Sequence, residues 1–312
     1  MKTLAVVMEE PERLALRRLA LTPSTADDVV IDVEWSGIST GTERLLYSGH
    51  MPAFPGMGYP LVPGYESVGR VRDAGSGAAL RVGQRVFVPG ATCFGDVRGL
   101  FGGTAACVIV PAARVLPVEE KLGEHAALLA LAATAYHALH AEGARVPELI
   151  VGHGVLGRLL ARLAVLEGGA PRVWERNAER ATGAAGYAVL DPVYDPRRDY
   201  RAIYDASGDA ALLDALVGRL GRGGEIVLAG FYSAPLSFAF PPAFMREARL
   251  RVAAQWQPGD LAAVHRLAAE GRLSLDGLIT HRARAADAAA AYGTAFGDAS
   301  CLKMILDWKG CA

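Results

Sequence analysis

The sequence predicts an α/β protein in which a β-rich N-terminal block precedes a doubly wound parallel sheet. Two textures and one turn carry that prediction. Short alternating runs, Val29-Val30-Ile31-Asp32-Val33, Val68-Gly69-Arg70-Val71 and Arg85-Val86-Phe87-Val88, are separated by proline and glycine turns, the pattern of short strands. From about Glu124 the chain becomes alanine- and leucine-rich, and strand and helix patterns alternate as far as about Trp256, as in a parallel sheet with crossover helices. A glycine-rich turn at Gly152 to Gly157 joins one of those strands to a helix.

The blocks expected are residues 1–125, residues 126–256 and a C-terminal return over residues 257–312. Glycine and proline crowd the stretch from Gly49 to Gly64, which reads as loop. The tail carries a helix near Pro258 to Glu270, a second near Ala285 to Phe296 and a closing strand, Cys301 to Trp308. It lies too far from the middle block's repeat to extend it, so it is expected to pack back on the first block.

Composition bounds the function. With 312 residues, 52% of them hydrophobic, the chain can bury two cores. Its 32 basic and 33 acidic side chains leave a net charge of -1, which supplies no electrostatic footprint for nucleic acid or an anionic membrane. The apolar run from Ala126 to Ala135 is far short of the roughly 18 residues that cross a bilayer, so no membrane span is expected. The four cysteines, Cys93, Cys107, Cys301 and Cys311, have neither metal-ligand nor disulfide-framework spacing, and the N-terminus has no export pattern, so a reducing cytoplasm is the expected compartment.

The strongest motif is Gly152-His153-Gly154-Val155-Leu156-Gly157, preceded by the apolar strand Leu149-Ile150-Val151 and followed by a helix from Arg158 to Leu166. This is the dinucleotide fingerprint in its required context: one glycine for the turn, one for backbone approach to a pyrophosphate, one for close packing of helix on strand. The next strand, Arg172-Val173-Trp174, ends in Glu175, 18 residues after Gly157, where an acid accepts from the adenine ribose hydroxyls. A carboxylate there disfavours a 2′-phosphate and predicts NAD as the cofactor. Arg176 is expected to stack on adenine, although it or Arg180 can also hold a 2′-phosphate. Two further strands end at Asp205-Ala206-Ser207-Gly208 and at Gly230-Phe231-Tyr232, so Ser207 and Gly230 are expected to edge the nucleotide crevice. His153 is expected beside the phosphates.

Ser36-Gly37-Ile38-Ser39-Thr40-Gly41-Thr42-Glu43, Pro63-Gly64-Tyr65-Glu66-Ser67-Val68-Gly69, Thr134-Ala135-Tyr136, the fingerprint and the ending Cys301-Leu302-Lys303-Met304-Ile305-Leu306 together resemble the medium-chain dehydrogenase/reductase superfamily over nearly the whole chain. The resemblance implies a GroES-like fold for the β-rich block, a Rossmann fold for the middle block, and cofactor contacts from Thr134 and Lys303, the latter to the pyrophosphate. Within the superfamily the stretches are similar to a branch that oxidises a hydroxyethyl group on a bacteriochlorophyllide, which implies a tetrapyrrole substrate. It also implies pairing of two chains, a homodimer, through the apolar segment from Phe231 to Met245, whose other reading is a substrate-lining loop.

The zinc-bearing members' pattern is broken. Ser39 stands for the cysteine of Gly-Ile-Cys, Tyr65 for the histidine of Gly-His-Glu, and Ala130 at the third ligand position, so no metal is expected. Side chains must then handle the alcohol proton that zinc otherwise helps remove. Ser39 and Tyr65 are the candidates, with the other reading that they fill the space of the metal. Thr40 shares their loop, and Gly41-Thr42-Glu43 reads as the start of a capped helix. Glu66 is expected to pair with an arginine or to titrate high. His137 is a candidate base, set against a core or interface role, and His50 lies in the loop before Met51-Pro52-Ala53-Phe54-Pro55, an apolar stretch suited to lining a macrocycle. The competing functions are a zinc-independent NADPH-dependent reductase of quinones or enones, and a nucleotide-binding scaffold without catalysis.

Overall fold

The computed structural model describes residues 1–53 and 55–311, and the chain divides into two compact units, Met1–Ala130 with Leu275–Ala312, and Leu131–Ser274. The first holds strands β1 (Lys2–Glu10), β2 (Arg13–Ala20) and β3 (Asp28–Ile38), the short helix α1 (Thr42–Tyr47), then β4 (Leu61–Val62), β5 (Ser67–Ala74), β6 (Arg85–Val88), β7 (Arg98–Gly99), β8 (Cys107–Pro111) and β9 (Leu116–Pro117). Helix α2 (Leu129–His140) crosses into the second unit, which continues with β10 (Leu149–Val151), α3 (Val155–Leu166), β11 (Arg172–Trp174), β12 (Ala188–Leu190), β13 (Tyr200–Asp205), α4 (Leu213–Val217), β14 (Leu220–Leu228), α5 (Phe240–Met245), β15 (Arg249–Val252) and α6 (Pro258–Ala269). The chain then returns to the first unit as β16 (His281–Arg284), α7 (Ala288–Gly297) and β17 (Met304–Asp307).

Each apolar run singled out in the N-terminal sequence is a strand. A four-stranded sheet has the order β2-β1-β4-β7; a seven-stranded sheet runs β16-β17-β3-β5-β6-β9, with β8 also on β3. The long β3 is the backbone of this unit. It pairs β5 along one edge, and on the other pairs β8 through Asp28 to Asp32 and β17 through Trp35 to Ile38. Val6, Ile31, Val86, Val108 and Leu306 are fully buried in the core between these elements, as alternation of inward apolar residues along strands requires.

In the second unit all six strands are parallel, in the order β12-β11-β10-β13-β14-β15. The order reverses at β10, so Val151 and Asp205, partners in register, bring two strand ends together at the switch point where such sheets bind ligands.

Two expectations need correction. The tail does not pack as one piece: α6 belongs to the second unit. Its first turn is closed by a reciprocal Gln257–Asp260 capping box, and the same Asp260 carboxylate binds His137 Nδ1 of α2 at 2.9 Å, which ties α6 to the unit that α2 opens. The crossover from β11 to β12 contains turns in place of a helix. Gly183 and Gly186 there have φ of 77° and 82°, a left-handed backbone that interrupts helical propagation. No helix of the described residues is long and apolar enough to cross a membrane.

Candidate active site

Strand register assembles a cluster of polar side chains in the first unit. Ser36 on β3 pairs Ser67 on β5, and Ile38 pairs Met304 on β17, so the residue just after β3, those just before β5 and that just before β17 meet at one end of the sheet. These are Ser39, Tyr65 with Glu66, and Lys303.

The Ser39 and Tyr65 hydroxyls share a hydrogen bond of 2.8 Å, and Thr42 Oγ1 stands 3.5 Å from the same phenol oxygen. Burial, with the Glu66 charge, pushes the Tyr65 phenol well above its usual range, against the lowering effect of Ser39 and Thr42. The phenol is therefore a neutral donor and acceptor, suited to relaying a proton and unsuited to holding a negative charge. Phe101 packs edge-on against its ring at 5.2 Å, holding its plane. Thr40, half-buried, lies in the turn between β3 and α1.

Glu66 is fully buried, and its partner is Lys303, at 2.8 and 2.7 Å from the two carboxylate oxygens, and not the arginine expected. Burial raises the Glu66 pKa while Lys303 opposes the rise. Lys303 Nζ also donates to the Ile38 carbonyl at 3.2 Å. Lys303 is the internal counter-ion of Glu66 in this structure. Gly37 makes room for the pair, since a Cβ there would stand 2.4 Å from Glu66 Oε2.

The donors at the former ligand positions are a serine hydroxyl and a high-pKa phenol bonded to each other, with an alanine third. Zinc is held by thiolate, imidazole or carboxylate, so this donor set does not fit the metal.

The nucleotide loop lies in the second unit. Gly152 has φ 95°, reached without strain by glycine. A Cβ on Gly157 would lie 1.9 Å from the Gly152 carbonyl oxygen, so its absence lets α3 start against β10, whereas Gly154 faces open space. Val155 and Leu156 open α3 with Gly154 as N-cap, and no side chain caps it. Free amides at such an N-terminus favour an anion.

His153 is not placed beside phosphate by its ring. The imidazole is fully buried, with Nδ1 2.6 Å from the Arg180 carbonyl and Nε2 2.8 Å from the Tyr187 hydroxyl. Because a carbonyl only accepts, Nδ1 carries the proton and Nε2 accepts from Tyr187. Burial lowers its pKa to about 4, in the neutral form this pairing requires. The buried Arg158 bonds the carbonyls of His153, Arg180, Thr182 and Gly183. Together they hold the segment that replaces the missing crossover helix.

Glu175 Oε2 accepts from the His153 amide at 3.1 Å and Oε1 from the Asn177 amide at 2.8 Å, which leaves one lone-pair direction on each oxygen for a ribose hydroxyl. Arg176 is exposed beside it. At the switch point, Asp205 accepts from the Ser207 amide and hydroxyl at 2.9 and 2.6 Å and from Tyr232 at 2.9 Å; the Gly230 amide donates to the Asp205 carbonyl at 2.9 Å. The Ser207 hydroxyl thereby organises the strand ends. Thr134 is half-buried on α2, and His137 on the same helix is engaged by Asp260.

Sequence reasoning passed over Glu43, read only as a helix start. Its carboxylate is fully buried, accepts from the Ser39 amide at 3.1 Å and takes the hydroxyl hydrogen bond of Tyr292 from α7. The α1 N-cap, Gly41, has no side-chain cap, so an acid two residues on was the available signal. Nothing in the sequence paired it with a tyrosine 249 positions away. His50 is exposed, and Met51 and Met57 of its loop pack partly on the core, while Phe54 lies outside the described residues.

Comparison with known proteins gives three findings. The family model for the alcohol dehydrogenase GroES-like domain matches residues 25–120. The 2-desacetyl-2-hydroxyethyl bacteriochlorophyllide A dehydrogenase of Rhodobacter capsulatus is 59% identical over 311 residues, covering 99% of both chains, and that of Cereibacter sphaeroides is 55% identical over 318 residues, covering all of both. Among solved structures, L-idonate 5-dehydrogenase from Escherichia coli superposes with a TM-score of 0.85 at 18% identity, covering 98% of each chain, a likeness of fold.

Proposed function

The chain belongs to the medium-chain dehydrogenase/reductase superfamily, and from that premise we propose that it oxidises the hydroxyethyl group of a bacteriochlorophyllide a to the acetyl group, with NAD as hydride acceptor and without zinc. The observation that carries this reading is the Ser39–Tyr65 hydroxyl pair, held at three strand ends in a chain whose full-length relatives bear the name of that alcohol.

The Gly152 to Gly157 loop and the amides opening α3 receive the pyrophosphate, Glu175 accepts from the adenine ribose, and Arg176 lies free to cover the base. NAD, when bound, supplies the carbon that accepts the hydride. Ser39 and Tyr65 receive the substrate hydroxyl, and its proton passes along their shared hydrogen bond and from Tyr65 to Thr42, the next hydroxyl in reach, for release to water. Glu66 and Lys303 hold the turn that carries Tyr65, and Gly37 lets them do so. The donor chemistry of Ser39 and Tyr65 is what supports zinc independence. The free thiols of Cys93, Cys107, Cys301 and Cys311 suit a cytoplasmic setting.

Single-turnover NADH formation from the hydroxyethyl bacteriochlorophyllide tests the reading, with elemental analysis of the same sample. We expect turnover without stoichiometric zinc, persisting after chelation, and a loss of roughly 10²-fold or more in kcat for Tyr65→Phe with NAD affinity intact. Oxidation of NADPH by simple quinones alone, or no turnover at all, overturns it in favour of a reductase or a scaffold; one zinc per chain, bound with activity, overturns the side-chain chemistry.

A homodimer through β15 is part of the same reading. This strand ends the six-stranded sheet, and Phe240, Phe244, Met245 and Val252 around it are 68%, 64%, 72% and 73% exposed. A second copy pairing antiparallel across that edge covers both the unpaired ladder and the apolar groups. Light scattering gives a dimer mass if so, and Val252→Asp a monomer; a wild-type monomer at micromolar concentration rejects it.

A further inference from the structure

We propose that Glu43 is the positioning residue of the hydroxyl pair: its carboxylate, clamped between the Ser39 amide and the Tyr292 hydroxyl, sets where Ser39 Oγ stands against Tyr65 and so fixes the seat of the substrate oxygen. This rests on the reading that Ser39 and Tyr65 receive that oxygen.

Glu43 grips Ser39 from both sides. Its own amide donates to the Ser39 carbonyl at 3.1 Å, and its Oε1 accepts from the Ser39 amide at 3.1 Å. One residue therefore satisfies both backbone polar groups of the serine and leaves that side chain to bond Tyr65 alone. The other oxygen, Oε2, reaches α7 through the Tyr292 hydroxyl. Tyr292 is itself fully buried and set edge-on against Phe296 at 5.5 Å, while Phe296 packs on Tyr47 at the end of α1, also at 5.5 Å. The loop that carries Ser39 is thus braced by a helix packed on the far side of the carboxylate.

The choice of a carboxylate matters because both its oxygens accept only when it is ionised. Tyr292 and the Ser39 amide are both donors to it, and protonating either oxygen takes an acceptor from one of them. Burial raises the Glu43 pKa to about 7, with the Glu66 charge adding to the rise and Tyr292, the Ser39 amide and Lys303 opposing it. The charged and titratable groups that face it are Glu66, Lys303, Tyr292 and the Tyr65 phenol, whose own ionisation Glu43 disfavours. The grip on Ser39 is therefore complete above neutrality and loosened below it.

The test uses the full-length protein with NAD and the hydroxyethyl bacteriochlorophyllide, measuring kcat from pH 6 to 9 and nucleotide affinity by calorimetry for Glu43→Gln, Tyr292→Phe and the Ser39→Ala, Tyr65→Phe double variant. A glutamine keeps an acceptor for the Ser39 amide and a donor for the Tyr292 oxygen but cannot ionise, so Glu43→Gln should lose the limb of the kcat profile with midpoint near 7 while nucleotide affinity stays within twofold. Tyr292→Phe should lower kcat at least tenfold with nucleotide affinity likewise unchanged. A wild-type limb in Glu43→Gln, or wild-type kcat in Tyr292→Phe, overturns the proposal while an inactive double variant leaves the hydroxyl pair standing. Full activity in the double variant overturns the hydroxyl pair itself and this proposal with it. Tyr292→Phe decides the matter if the Glu43 variant does not fold.

Discussion

Ser39 and Tyr65 bring their hydroxyls to 2.8 Å although 26 residues separate them, because antiparallel β3 ends where β5 begins. The distance is a property of the strand register. A one-residue slip between β3 and β5 would turn every side chain to the opposite face, so the apolar faces that bury Ile31, Val33 and Val71 also hold the site in place.

The glycines of the nucleotide loop separate binding from folding. Gly154→Val places its side chain in open space, so the protein should keep its melting temperature and lose measurable calorimetric binding of NAD. Gly157→Ala should cost about 1–3 kcal/mol, since its Cβ meets the Gly152 carbonyl at 1.9 Å and α3 must move off β10. Equal melting temperatures for the two variants would contradict this division.

Lys303→Met removes the counter-ion of a fully buried carboxylate and should destabilise the protein by about 3–5 kcal/mol in urea unfolding. The Lys303→Met, Glu66→Leu double variant should recover most of that loss, since no charge is then left unpaired. Additive losses would show that the two side chains stabilise the fold independently.

Glu175→Ala should narrow the preference for NAD over NADP by about tenfold, or 1.4 kcal/mol, by removing a carboxylate that disfavours a 2′-phosphate. It also frees the His153 and Asn177 amides, so the absolute affinity for both nucleotides should fall. A wild-type enzyme that already prefers NADP would falsify the assignment.

Two buried groups give stability opposite pH dependences. The His153 pKa is lowered from 6.5 to about 4, so its contribution is present above pH 6.5 and lost as pH falls through about 4, because the unfolded chain takes the proton first. The Glu43 pKa is raised from 4.5 to about 7, so its contribution is present below pH 4.5 and lost as pH rises through about 7. In melting curves taken from pH 4 to 8, His153→Gln should flatten the acid side, and Glu43→Gln should flatten the decline between pH 4.5 and 7. An unchanged acid side in the histidine variant would mean that its ring is solvated.

Local order in the chain determined the nucleotide loop and the strands. Gly152, Gly154 and Gly157 act through backbone geometry within six residues, and the runs that became β3, β5, β6 and β10 alternate or cluster apolar groups on a scale of four to eight, so both are legible without a partner elsewhere. That Ser39, Tyr65 and Ala130 carry neither thiolate nor imidazole was legible for the same reason: it depends on residue type alone. Partnerships were not. Glu66 needed a cation, and only the pairing of β17 with β3 made it Lys303; His153 needed its surroundings before its ring could be assigned to Arg180 and Tyr187; α6 followed α2, with Asp260 bonded to His137. The pairing of Glu43 with Tyr292 is the extreme case, for both are ordinary helix residues in sequence. Burial gives a charged or polar group its chemistry by removing water and leaving whatever donor the fold has brought within 3 Å, and that is decided by packing over distances the local pattern does not span.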